Sequence, residues 1–301
     1  MSKLLTITEA IGRYVPDDSE VVMGTSLETL IPFAAGHEII RQRKKNLTLI
    51  GPISDILFDQ LIGAGCVRKT RAAWIGNVIT GSSYNFRRAA EEEILETEDH
   101  SNLTISMALK AGAMGVPFMP SLTGLGSDLY KTNQSLKKIT CPFTGILLTA
   151  VSAINPDVAI IHAQRADKYG NAHMWGNLGV TREACLASRH VIVTAEEIVS
   201  PDIIESDPNR VITPGFHVSA VVHAPWGAHP SPVPGYYNRD HEAFIEYRES
   251  SKTEQKFEEW MRFRVDNVKT DDDYIRLLGN ERIAKLKLTN HLLSEPADYG
   301  Y

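Results

Sequence analysis

Short apolar runs alternate with amphipathic stretches along most of the chain. Thr6 and Glu9 stand at capping-box spacing ahead of Ala10, Ile11 and Tyr14, and Pro16 stops the run, which predicts a first helix. Residues 20–23 read as a short strand ending in Gly24-Thr25-Ser26. Residues 27–43 predict a longer helix carrying Leu30, Phe33, Ile39 and Ile40, with Pro32 tolerable only in its first turns. Residues 47–50 form the next strand, met at once by Gly51-Pro52, and 53–62 read as a helix ending at Gly63 and Gly65. The alternation then repeats. Residues 72–75 predict a strand closed by Gly76-Asn77, 82–93 a helix whose Glu91-Glu92-Glu93 run suits a solvated face, and 94–96 a short strand. Ser101 or Asn102 caps a helix reaching Met114, ended by Gly115 and Pro117.

Residues 117–145 hold Pro120, Gly124, Gly126, Pro142 and Gly145 without a clean period and read as a long loop around a site or interface. Val158 to Ile161 is an apolar run of the kind a strand shows when helices cover both faces. His162 and Gln164 bring polar side chains to its end, and Asp167, Gly170 and Asn171 follow at turn spacing before Ala172. A buried strand that turns polar at its end is where an α/β protein places a ligand; a satisfied turn with no ligand fits equally well. Residues 182–188 predict a helix, 191–194 a strand with Ala195-Glu196-Glu197 as its polar end, 201–205 a helical turn or two, and 218–222 a further buried strand. The prolines and glycines of 223–231 exclude regular structure there, 240–287 are mostly amphipathic helix, and 288–301 read as a surface tail.

Strands alternating with helices indicate an α/β fold, a mostly parallel sheet wound with helices. The organisation expected is an α/β domain over residues 1–239 and a C-terminal helical extension, 240–301, packed on it. With 43% hydrophobic and 23% charged residues in 301, the chain has an ordinary globular composition. A net charge of -6 without a basic block argues against nucleic acid as a partner. No apolar run approaches the roughly 20 residues that span a bilayer, and no signal peptide is apparent. Cys66, Cys141 and Cys185 lie far apart without metal-ligand spacing, which suits a reducing cytoplasm and small buried hydrophobes. Strand ends repeatedly carry glycine plus a small polar residue, so backbone N–H groups can approach a ligand oxygen closely. That pattern points to a site for an anionic small molecule at the ends of parallel strands.

The order of Met23-Gly24-Thr25-Ser26, Leu61-Ile62-Gly63-Ala64-Gly65, Gly115-Val116-Pro117-Phe118-Met119-Pro120, Ile160-Ile161-His162-Ala163-Gln164, Glu196-Glu197-Ile198 and Ala224-Pro225-Trp226-Gly227-Ala228-His229-Pro230-Ser231 resembles the A (alpha) subunit of family I coenzyme A transferases, most of all its glutaconate branch. The resemblance implies the α/β fold of that family, a partner B (beta) subunit in a hetero-oligomer, and a cytoplasmic CoA-transferase. It implies no resident cofactor or metal, coenzyme A thioester being the substrate, and neither nucleic acid nor membrane as partner. The reaction implied is ping-pong exchange of CoA between an acyl-CoA and a free carboxylic acid, with a dicarboxylic acid among the candidates. Its nucleophilic glutamate sits in a Ser-Glu-Asn-Gly-like turn of the B subunit; this chain has no such turn, so no catalytic residue is expected in it.

Gly24, Thr25, Asn77, Ser82, Asn102 and Gln164 are then the expected substrate-binding wall. Glu196 and Glu197 are expected to be structural, His162 a satisfied core group, and His229 a loop-orienting residue. Two departures matter. The transferase A subunit has Asn-Ser where this chain has Asn77-Val78, which removes a hydroxyl for an acyl tail's carboxylate and permits a less polar acyl group. Ring-opening acyl-CoA hydrolases resemble this chain too and are the alternative, but they carry a glutamate at Asn102, and an amide cannot serve as general base for water. A ligand-sensing domain of the same broad fold is a third possibility that a basic face would favour, and none is visible.

Overall fold

The computed structural model describes residues 2–288 apart from Ile79, with Ser82 described in its backbone alone. The tail expected over 288–301 therefore lies, beyond Leu288, outside the described residues. The strands are β1 (Glu20–Val22), β2 (Leu47–Ile53), β3 (Val67–Trp74), β4 (Gly76–Asn77), β5 (Gly81–Ser82), β6 (Glu96–Asp99), β7 (Phe118–Ser121), β8 (Leu136–Thr140), β9 (Leu147–Ser152), β10 (Val158–Ala166), β11 (Ala172–His173), β12 (His190–Ile198) and β13 (Ala220–His223). The helices are α1 (Ile7–Tyr14), α2 (Phe33–Arg41), α3 (Leu57–Gly63), α4 (Tyr84–Glu91), α5 (Asn102–Met114), α6 (Leu129–Thr132), α7 (Thr181–Ala187), α8 (Pro201–Glu205), α9 (His241–Ser251), α10 (Glu254–Met261), α11 (Asp271–Leu278) and α12 (Asn280–Leu286).

The main sheet runs β13-β12-β10-β1-β2-β3-β6, with every pair along it parallel and β11 folded back antiparallel on β10. Side chains alternate between its faces, as the pleat requires. Val21, Ile160, Ile192 and Val222 enter one core with Phe33, Phe58 and Ile39. Val22, Ile161, Val193 and Val221 enter the other, with Ile105 and Leu109 of α5 and Cys185 of α7. Helices therefore cover both faces, and the expected mostly parallel α/β architecture is the one present. Phe244 and Tyr247 of α9 and Phe257 of α10 close the first core, so the C-terminal helices are packed into the same hydrophobic layer as α2 and α3.

Local signals hold where they are self-contained. Thr6 and Glu9 form the expected capping box of α1, and Ser101 caps α5, which ends at Gly115 in the left-handed region. Elsewhere tertiary bonds override propensity. The helix expected from residue 27 starts only at Phe33, because Leu27 and Leu30 take positive φ (62° and 55°) and the Leu30 N–H donates to Pro232 O at 3.1 Å. β2 runs on through Gly51-Pro52 to Ile53, and α3 begins correspondingly late. The long loop expected over 117–145 is corrected most: β7, β8 and β9 form an antiparallel sheet in the order β7-β9-β8, with α6 between β7 and β8. Gly124, Gly126 and Gly145 lie in the connections, and Pro120 sits on the edge strand β7, where a missing N–H is tolerated. Cys66 and Cys185 are buried, which pushes both thiols up to about 12, but Cys141 is only half-buried beside the β8–β9 turn.

Candidate active site at the strand ends

Because β1, β2, β3 and β6 are parallel neighbours, their C-terminal ends set Gly24, Ser54 and Asp55, Asn77 and Asn102 in one row. With strands spaced about 4.8 Å apart, the row spans roughly 15 Å. Four of the expected wall residues are thus brought to one rim by the parallel order: Gly24, Thr25, Asn77 and Asn102. Ser82 follows on the β4–β5 hairpin, whose register pairs it with Gly76.

Each has a local reason for its place. Gly24 has φ +68°, and a Cβ there would meet Ser54 Oγ at 2.3 Å and Ser54 Cα at 2.9 Å. Glycine is demanded by the approach of β2, whatever ligand lies above. Thr25 turns inward, its Oγ1 2.8 Å from Thr181 Oγ1 and its carbonyl accepting from Val180 N at 3.0 Å. Asn77 is buried, donating from Nδ2 to Asp55 Oδ1 (2.5 Å) and accepting at Oδ1 from Thr80 N (3.2 Å). Asn102 is exposed as the first residue of α5. Beneath it, Glu98 accepts from Lys69, Arg71, His100 and Ser135; burial would raise its carboxyl, but the bonds from His100, Lys69 and Ser135 outweigh that and hold it below the usual range.

Gln164 stands apart. It lies across β1 on β10, fully buried, donating to Trp175 O (3.0 Å) and Pro234 O (3.2 Å) and accepting from Trp175 N (3.3 Å). Its amide staples two loops together. The neighbouring polar groups are similarly engaged. Glu196 Oε1 accepts from His162 Nε2 (2.8 Å) and Tyr237 Oη (2.7 Å), and its Oε2 accepts from Trp226 N (2.8 Å). His162 Nδ1 lies 2.9 Å from Thr194 Oγ1. Glu197 is half-exposed against Arg165 at 3.2 Å. His229 ties the irregular 223–231 segment to the C-terminal helices, bonding Tyr274 Oη (2.7 Å) and Asp240 Oδ2 (2.8 Å).

Three further residues of the row escape sequence reasoning: Asp55, Arg239 and Glu28. Asp55 is hidden inside an expected helix, although it closes a Gly-Pro-Ile-Ser-Asp run after a strand. It is buried and accepts from Arg239 Nη2 at 2.7 Å as well as from Asn77. Burial pushes its carboxyl up to about 6, against the lowering pull of Arg239. Arg239 Nη1 also donates to Glu28 Oε2 at 3.2 Å, and its guanidinium lies 4.1 Å from the centre of the Phe244 ring. A cavity of about 410 Å³ lies elsewhere, beyond β13, between Phe33, His37, Trp226 and Lys269.

Comparison with known proteins gives the family. The family model described as coenzyme A transferase matches residues 4–224. The A subunit of 3-oxoadipate CoA-transferase from Pseudomonas knackmussii is 43% identical over 92% of this chain and 94% of its own. The A subunit of glutaconate CoA-transferase from Acidaminococcus fermentans is 35% identical over 96% and 95% of the two chains. The crystal structure of that glutaconate enzyme superposes with a TM-score of 0.92 over 96% of each chain, at 34% identity. The cholesterol ring-cleaving hydrolase IpdA subunit from Rhodococcus jostii is more distant, 28% identical over 81% and 84%. A parallel sheet with a glycine-lined polar rim, a family model covering most of the chain and A-subunit relatives matched almost end to end place this chain in the coenzyme A transferase family, as a CoA-transferase A subunit.

Proposed function

We propose that this chain forms one wall of a two-subunit site that moves CoA between an acyl-CoA and a dicarboxylic acid, the nucleophile being a glutamate of a B subunit. The observation that carries the division of labour is the state of Glu196. Three donors already hold its carboxylate in a buried setting, so Glu196 is engaged by the protein itself rather than presented as a nucleophile. Two relatives that match almost end to end take their names from 3-oxoadipate and glutaconate, both dicarboxylic acids, which supports the substrate class.

In the reaction proposed, the partner's carboxylate attacks the thioester carbonyl and CoA leaves as thiolate, giving a mixed anhydride. The thiolate then attacks the glutamyl carbonyl, releasing the first acid and leaving a glutamyl–CoA thioester. The second acid's carboxylate attacks that thioester, and the same steps run in reverse. Each attack passes through a tetrahedral oxyanion, which needs fixed donors. The rim of this chain would supply backbone N–H groups around Gly24 and the amide of Asn102. Transfer is favoured over hydrolysis because Asn102 holds no base for water. The test is to mix this chain and its B partner with acyl-CoA and borohydride, which reduces a glutamyl thioester, and to locate the reduced residue by mass spectrometry. Reduction on the partner, sparing Glu196 and Glu197, is expected; reduction on this chain, or full turnover by the chain alone, overturns the reading.

A further inference from the structure

We infer that Arg239 is the receptor for the second carboxylate of the substrate, and that Glu28 holds its place until the acid binds. The inference rests on the proposed dicarboxylic-acid transfer and adds the residue that selects for it.

The two edges of the Arg239 guanidinium are held very differently. Nη2 is fixed by the buried Asp55 at 2.7 Å, and Asp55 is itself fixed by Asn77. Nη1 meets Glu28 at 3.2 Å, a longer bond to a side chain that is 37% exposed. Phe244 lies under the guanidinium plane and holds its orientation. The cation is therefore preorganised by buried partners on one side and met by a solvent-facing carboxylate on the other. An incoming carboxylate can replace Glu28 at Nη1 with no change in the number of ion pairs, while Glu28 returns to water. Glu28 is already partly in water, so releasing it costs far less than releasing the buried Asp55 would.

The position on the rim suits that task. Asp55 follows Ser54, which packs directly against Gly24, and Glu28 lies four residues past Gly24 in the same turn. Arg239 thus stands at the ends of β1 and β2, beside the glycine expected to face the thioester. In the turn after β4, Val78 exposes only an apolar side chain, so recognition of a second carboxylate falls to another group. Arginine suits this role better than lysine because its fork can bond Asp55 and a substrate carboxylate together.

The test uses the complex with the B subunit, comparing kcat/KM for glutarate or adipate, whichever it accepts, with kcat/KM for the monocarboxylic acid of equal length. Arg239→Lys should cut the dicarboxylic-to-monocarboxylic ratio about tenfold, since a charge-assisted bond made only by the dicarboxylic acid is lost. Glu28→Gln removes the competing charge and should raise the same ratio about threefold. If Arg239→Lys fails to assemble, Glu28→Gln decides alone. A wild-type preference that neither substitution moves overturns the role of Arg239 while leaving the dicarboxylic reading intact. A wild-type complex that transfers CoA but takes only monocarboxylic acids overturns both, and failure of all transfer overturns the proposed function itself.

Discussion

The two halves of the strand-end rim both carry buried carboxylates, yet they are finished in opposite ways. On the β10–β12 side, Glu196 and His162 bond each other and are closed off by Tyr237, Trp226 and Thr194, while Gln164 is held by Trp175 and Pro234. On the β1–β2 side, Asp55 and Arg239 lead outward to a half-exposed Glu28, and the Arg239 Nε is buried with no bond partner among the described atoms. Buried polar groups left incompletely paired cost stability, so a fold that retains them does so against its own stability. A closed network reads as architecture, and an open one as a place where something else completes the pairing.

The strongest test of the contrast concerns Gly24. Gly24→Val adds a branched side chain at φ +68° against the Ser54 backbone, and should cost about 3 kcal/mol or more, read as a fall in denaturation midpoint. Lost activity in that variant would report on folding before it reported on catalysis. Next, Glu196→Ala strands the buried His162 and Tyr237 and should cost about 2–3 kcal/mol in chemical denaturation. A loss under half a kilocalorie would break the claim that this side of the rim is structural.

A smaller effect, on the order of 1 kcal/mol, should follow pH. Burial raises the Asp55 carboxyl from 3.8 to about 6, so the folded state binds the proton more readily than the unfolded chain. Asp55 therefore weakens the fold above about pH 6, and this penalty is relieved as pH falls from 6 towards 4. Wild-type stability should accordingly rise relative to Asp55→Asn across that window; a constant gap would show that Arg239 keeps Asp55 ionised throughout. The smallest change in stability is expected for Asn102→Glu, within about 0.5 kcal/mol at an exposed helix start. Its value is chemical: thiol release from acyl-CoA without an acceptor acid should rise above wild type if the α5 end borders the reacting carbonyl.

Much of the architecture is legible in local pattern because its causes are local. The capping box at Thr6 and Glu9, the Ser101 cap with Gly115, and the apolar run from Val158 all act over a few residues. The family resemblance, carried by motifs spread from Met23 to Ser231, is legible for the same reason: each motif is a short contiguous run of residues. The 117–145 segment is not, since β7 pairs with β9 across the chain and its edge position excuses Pro120. No window of sequence contains both partners of such a ladder.

The sequence by itself determined the alternating strands and helices and the glycine-rich strand ends, both of them properties of neighbours along the chain. Tertiary structure alone decided which polar residues are spoken for. The Gln164 amide donates to Trp175 and Pro234, and the Thr25 hydroxyl pairs with that of Thr181; Pro234 and Thr181 lie far off in sequence. Arg239 reads as one surface cation among many until Asp55, 184 residues away, fixes it to the rim. Hydrogen-bond satisfaction is a property of atoms in space, and only the folded chain brings those donors and acceptors within reach.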